Sequence, residues 1–167
     1  LGDLILSHTH GQFKETYQNL EGEEYFSIEV ALIFLRAGRV DEEPHTSGDD
    51  FHRRSFQLFK IYAKQLEIDE TMIDWLEPIM CHSCKPLDAL TESCSLLDIL
   101  KRRMTSEPKT EMVFYMFDLV HNLDLKRVHS VDNKNRCAKL FGLSYLPFLD
   151  KLDDLSTQFL RCTGSIY

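Results

Sequence analysis

The side chains able to do chemistry at short range are gathered in a few places. Cys81, His82, Ser83 and Cys84 form a Cys-x-x-Cys with a histidine inside it, half of a zinc site, which takes four thiolate or imidazole ligands in tetrahedral reach. Cys94 stands ten residues further on without a partner at short spacing, so no metal is expected. Dithiol redox chemistry is not expected either, because no βαβ setting surrounds the pair. Cysteine-protease chemistry needs a thiolate beside a histidine that a third group orients. With five cysteines and seven histidines chance pairs are inevitable, and no nucleophile signature surrounds any cysteine. Asp118 to His129, DLVHNLDLKRVH, places Asp118, Asn122 and Asp124 like the first ligands of a calcium loop. Leu123 stands where that loop needs glycine and His129 where it needs a bidentate carboxylate, so calcium is rejected. No glycine-rich phosphate loop and no Walker lysine motif occur. These residues together predict no catalytic site and no cofactor.

The totals bound the partners. The formal charge is −8, from 27 acidic and 19 basic residues, and such a field repels a nucleic-acid backbone and anionic lipid. No apolar run approaches the roughly 20 residues of a spanning helix; the best, Val30 to Leu35, ends at Arg36. Neither nucleic-acid binding nor membrane insertion is expected. The odd cysteine count suits reduced thiols, and no basic-then-apolar leader opens the chain. A cytoplasmic location without disulfides is the expectation.

The elements that must position any site read as helices throughout. Leu4, Leu6, Phe13, Tyr17 and Leu20 make an imperfect stripe that Gly11 interrupts. Phe26, Val30, Ile33 and Phe34 predict a helix over Glu23 to Ala37, stopped by Gly38. The stretch VDEEPHTSGDD, Val40 to Asp50, is a loop. Phe59, Tyr62 and Leu66 predict the apolar face of a helix over Phe51 to Leu66, with His52, Arg53, Arg54 and Lys60 opposite. Asp69 caps a following helix that Pro78 should end or kink. Leu96, Leu97, Leu100 and Met104 mark another, and Thr105 to Pro108 break it. Met112 to Val120 is apolar almost all round, the mark of an enclosed helix, and a short separate turn follows from His121. Cys137 to Leu160 reads as one or two further helices, and period-two alternation appears nowhere. The class is all-α.

Phe56 to Val128 resembles a death effector domain, the six-helix member of the death-fold superfamily. FKIYAKQLEIDETMIDWLEPI, Phe59 to Ile79, is similar to that family's first and second helices, and LLDILKRRMTSEPKTEMVFYMFDLVHNLDL, Leu96 to Leu125, to its fourth to sixth. The resemblance implies a compact antiparallel six-helix bundle over residues 51–131, with helical flanks at 1–50 and 132–167. It implies a non-catalytic module that assembles apoptotic or innate-immune signalling complexes through a partner of the same fold, with self-association or filaments. Its partner-binding residues would be the second-helix knob at Trp75 and Leu76 and the sixth-helix motif at Asn122, Asp124 and Leu125, where Asn122 replaces the family's arginine. Trp75 is also compatible with a core position. Two alternatives stand beside this reading. Glu29 to Arg36 and Glu111 to Asp118 share a pattern 82 residues apart, which suits tandem copies. A helical scaffold binding a partner helix or a small apolar ligand in a groove is the other.

Overall fold

Helix boundaries fall where the chain supplies its own caps. The computed structural model describes residues 9–39, 51–83 and 95–126, with 142, 154, 157 and 158, and side chains as far as His121 in the third stretch. Among them lie six helices and no strand: α1 (Gln12–Gln18), α2 (Gly22–Phe34), α3 (Phe51–Gln65), α4 (Glu70–His82), α5 (Ser95–Ser106) and α6 (Pro108–Lys126). The fold is an all-α bundle. No helix among the described residues is long and apolar enough to cross a membrane.

At the start of α2 the Glu24 carboxylate accepts the Glu21 backbone N–H at 3.0 Å, satisfying a donor that has no helical partner. Asp69 accepts the Thr71 backbone N–H at 2.8 Å and so starts α4. Between α3 and α4 the chain reverses in four residues. The Ile68 N–H donates to the Ala63 carbonyl at 3.0 Å and the Glu67 N–H to the Lys64 carbonyl at 3.3 Å, while Glu67 takes φ 59°. That is a Schellman ending with glutamate in the left-handed position usually held by glycine. Glu107 alone separates α5 from α6, and its carboxylate accepts the Thr110 hydroxyl at 2.6 Å.

Neither Pro78 nor His121 ends a helix. Pro78 lies inside α4, which continues to His82, and α6 runs through His121 to Lys126 without restarting. Proline forfeits one hydrogen bond and crowds the preceding turn, but Pro78 and Ile79 to His82 are all buried, so packing holds the last turn in place. The buried faces differ as well. On α3 the inward residues are His52, Ser55, Phe56, Phe59 and Ala63, whereas Ile61, Tyr62 and Leu66 are exposed. On α2, Ile33 is 76% exposed, while Ser27, Ile28, Val30 and Ala31 are buried. Small residues face inward here because neighbouring backbones come close. Gly38 marks that approach: a Cβ on it would stand 2.5 Å from the Phe51 carbonyl oxygen and 2.7 Å from Arg54 Cβ.

The core joins both halves of the chain. Phe13 and Tyr17 of α1, Ile28 and Ala31 of α2, Phe56 and Phe59 of α3, Leu76 and Ile79 of α4, Leu100 of α5 and Met112 to Phe117 of α6 form one buried cluster. Phe13 meets Tyr115 edge-on at 6.0 Å. α2 and α6, the pair with the shared pattern, pack within this single core.

Candidate functional site

An antiparallel helical hairpin returns the chain to where it began. α3 starts at Phe51 and α4 ends at His82, with Leu66 to Asp69 between them, so the first turn of α3 and the last of α4 share one end of the bundle. Eight polar or charged side chains are buried among the described residues: Thr9, Ser27, His52, Ser55, His82, Ser83, Thr110 and Asp118. Four of them, His52, Ser55, His82 and Ser83, lie at this end. His52 is 5% and His82 7% exposed. Burying imidazoles costs solvation that apolar side chains would not have lost, and a concentration of them at one end calls for a functional reason.

The local bonding makes this end rigid. The Gly38 N–H donates to Ser55 Oγ at 2.9 Å, and Arg54 Nε donates to the Gly38 carbonyl at 2.8 Å. These two bonds clamp the chain leaving α2 onto the first turn of α3. The Ser83 N–H closes α4 on the Ile79 carbonyl at 2.8 Å, and Ser83 Oγ donates to the Met80 carbonyl at 3.3 Å. The Phe51 and His52 rings lie 3.8 Å apart, centroid to centroid. Arg53 and Arg54, beside His52, are exposed and bring positive charge to the rim of this end.

The other buried polar groups divide by location. Ser27 donates to the Glu23 carbonyl at 2.7 Å, and Thr110 accepts from Trp75 Nε1 at 2.9 Å. Both are spent within the structure. Asp118 is buried and His121, one turn on, is half-buried, so the two occupy one face of α6. From Trp75 onward α4 is enclosed, with Leu76 and Pro78 to Ser83 buried, whereas Thr71 and Asp74 are exposed. Its C-terminal half is therefore the part covered by its neighbours.

The expected partner-binding residues lie elsewhere. Trp75 is 8% and Leu76 0% exposed; Trp75 hydrogen-bonds Thr110 and carries the Lys109 ammonium 5.0 Å from its ring centroid. Both are core residues, with little or no surface to form an exposed knob. Asn122, Asp124 and Leu125 fall in the last turns of α6, and their side chains lie outside the described residues. Cys81 is buried and Cys84 lies outside the described residues. Among the described residues no group of three His, Cys, Asp or Glu side chains could hold a metal ion.

The sequence pattern puts His52 on the solvent face of its helix and His82 only in a Cys-x-x-Cys, and so marks neither as a site residue. A signal existed. His52 precedes Leu66 by fourteen residues (66 − 52) and His82 follows Asp69 by thirteen (82 − 69). Two helices of nearly equal length about a tight reversal bring such positions level.

The family model described as SidE phosphodiesterase (PDE) domain matches residues 1–166. No curated protein and no solved structure matches the chain. The family match overturns the death-effector resemblance and what it implied: a non-catalytic assembly module, apoptotic or innate-immune signalling, and the absence of enzyme activity. The resemblance rested on the spacing of leucines and aromatics over Phe56 to Val128, a pattern that any enclosed helix shows.

Proposed function

Because the chain belongs to the SidE phosphodiesterase domain family, we propose that it hydrolyses or transfers a phosphodiester at the end of the α3–α4 hairpin. The observation that carries this reading is the burial of His52 and His82 at that one end. Imidazole is the side chain best suited to both halves of the reaction near neutral pH. A neutral histidine takes the proton from the attacking hydroxyl as its oxygen bonds to phosphorus. A protonated one donates to the leaving oxygen as the other P–O bond breaks. Arg53 and Arg54 at the rim attract the phosphodiester anion, and Arg54, held by Gly38, is fixed in place beforehand. The net charge of −8 favours a small phosphodiester over a nucleic acid. The odd number of cysteines, five, supports a reducing compartment such as the cytoplasm as the place of action.

Hydrolysis of bis(p-nitrophenyl) phosphate by the full chain tests the assignment. His52→Asn and His82→Asn are expected to lower kcat by roughly 10²- to 10⁴-fold while circular dichroism and Tm stay near wild type. A folded variant that keeps the wild-type rate removes that histidine from the mechanism. The pH–rate profile should be bell-shaped, because one imidazole must be neutral and the other charged.

A second arrangement rests on Asp118 and His121, which share a face of the most enclosed helix. In it the carboxylate orients the His121 imidazole, which then serves as base or acid in place of one hairpin histidine. His121→Asn separates the two: only this second arrangement expects it to lose as much activity as the hairpin variants.

A further inference from the structure

The large apolar side chains exposed among the described residues are Phe26, Ile33, Ile61, Tyr62 and Leu66. Each belongs to α2, to α3 or to the residue just after α3. The two helices lie side by side and antiparallel: Gly38, past the end of α2, bonds Ser55 near the start of α3, and Phe34 stacks on Tyr62 further along it at 5.1 Å. Phe26 and Ile33 stand two turns apart on one face of α2, with the exposed Glu29 between them. Tyr62 and Leu66 stand one turn apart, on one face of α3 and its continuation. A single exposed apolar side chain is ordinary, whereas a cluster across neighbouring helices marks a surface that another surface covers.

The charge on the two helices says what that covering surface is. α2 carries Glu23, Glu24 and Glu29 and no basic residue, whereas α3 carries Arg53, Arg54, Lys60 and Lys64 and no acidic one. Glu24 is engaged by Lys109, which leaves the acidic excess of α2 in Glu23 and Glu29. Lys60 and Lys64 approach the same Glu70 carboxylate, at 3.5 and 3.4 Å, so one negative charge offsets two positive ones. An acidic helix beside a basic helix is self-complementary. A two-fold axis running between them and parallel to both lays α2 of each copy along α3 of the other. That rotation keeps every residue at its own height along the axis, so residues level with one another within a copy meet across the two copies. Exposed ion pairs add little affinity; here they fix the register and the apolar residues supply the contact.

We propose that the outer face of α2 and α3 is the interface of a two-fold dimer of this chain, with Ile33 on the partner's Ile61 and Tyr62, Phe26 on the partner's Leu66, and Glu29 beside the partner's Lys64. The face occupies the second half of α3, away from the end that holds His52 and His82, and the proposal does not depend on the phosphodiesterase reading.

Analytical ultracentrifugation of the full chain over a range of concentrations tests it. A monomer–dimer equilibrium with Kd on the order of 10 µM is expected. Ile33→Glu should weaken it about tenfold or more, with circular dichroism and Tm near wild type because the side chain is exposed. Glu29→Lys and Lys64→Glu each set like charges against one another in both halves of a homodimer, and each alone should weaken association. Mixed in equal amounts, the two variants restore opposite charges in both halves and should form a heterodimer about as tight as the wild-type dimer. Lys101→Glu, exposed on α5, should leave the equilibrium unchanged. A chain that stays monomeric at about 1 mM, or a dimer that Ile33→Glu leaves intact, overturns the interface. Folded charge variants that do not associate on mixing overturn the placement of α2 on α3, and growth beyond a dimer overturns its two-fold closure.

Discussion

Lys109 serves two neighbours: its ammonium sits over the Trp75 ring and pairs with the Glu24 carboxylate. Burial pushes the Glu24 carboxyl up, but the hydrogen bond from Lys109, the Glu21 backbone N–H and the Lys109 charge outweigh it, and the group titrates below the ordinary value of 4.5. A carboxyl lowered by folding contributes stability that is present above the unfolded value and is lost as pH falls through the folded one. Glu24→Gln should therefore reduce the drop in urea midpoint between about pH 6 and about pH 3 relative to wild type; an identical drop would remove Glu24 as a source of acid sensitivity. The neighbouring tryptophan gives a second residue-scale prediction. Trp75→Phe should cost about 1 kcal/mol through the lost bond to Thr110. Leu76→Ala, at a fully buried position, should cost about 2–5 kcal/mol, both read by urea denaturation.

At the scale of elements, caps and breaks could be read from neighbouring residues. Asp69 as the start of α4 and Pro108 as the start of α6 follow from side chains that meet their own backbone. The end of α3 could not be read that way, because Glu67, rather than glycine, holds the positive φ. That position is strained for any residue with a Cβ, so Glu67→Gly should stabilise the protein by about 1 kcal/mol, seen as a raised urea midpoint with unchanged slope. A neutral or lowered midpoint would mean that the side chain of Glu67 offsets the strain. The buried faces of α2 and α3 depart from the apolar stripe for a different reason. Periodicity favours the largest apolar side chains, but Ser55 and Ala63 occupy the interior of α3 and Tyr62 lies outside, stacked on Phe34 at 5.1 Å.

For the whole molecule, the decisive feature is one core drawn from α1 to α6. Phe13→Ala in α1 and Leu100→Ala in α5 should each lower the midpoint of one common unfolding transition, followed by circular dichroism and by Trp75 fluorescence. A separate transition for α1 and α2 would instead mark them as an independent unit. The family match, over residues 1–166, likewise covers the stretch read as a flank together with the stretch read as a domain.

By itself the sequence determined an all-α class, the approximate helices among the described residues and the caps at Asp69 and Pro108, because these depend on residues within a turn or two of one another. It also contained His52 and His82, but not their relation. Only the tertiary structure decided that small residues face inward on α3, that Trp75 and Leu76 are core, and that the two histidines are buried at one end of a hairpin. Those outcomes depend on how closely helices approach across the bundle, and that distance is set by packing between residues far apart in the chain.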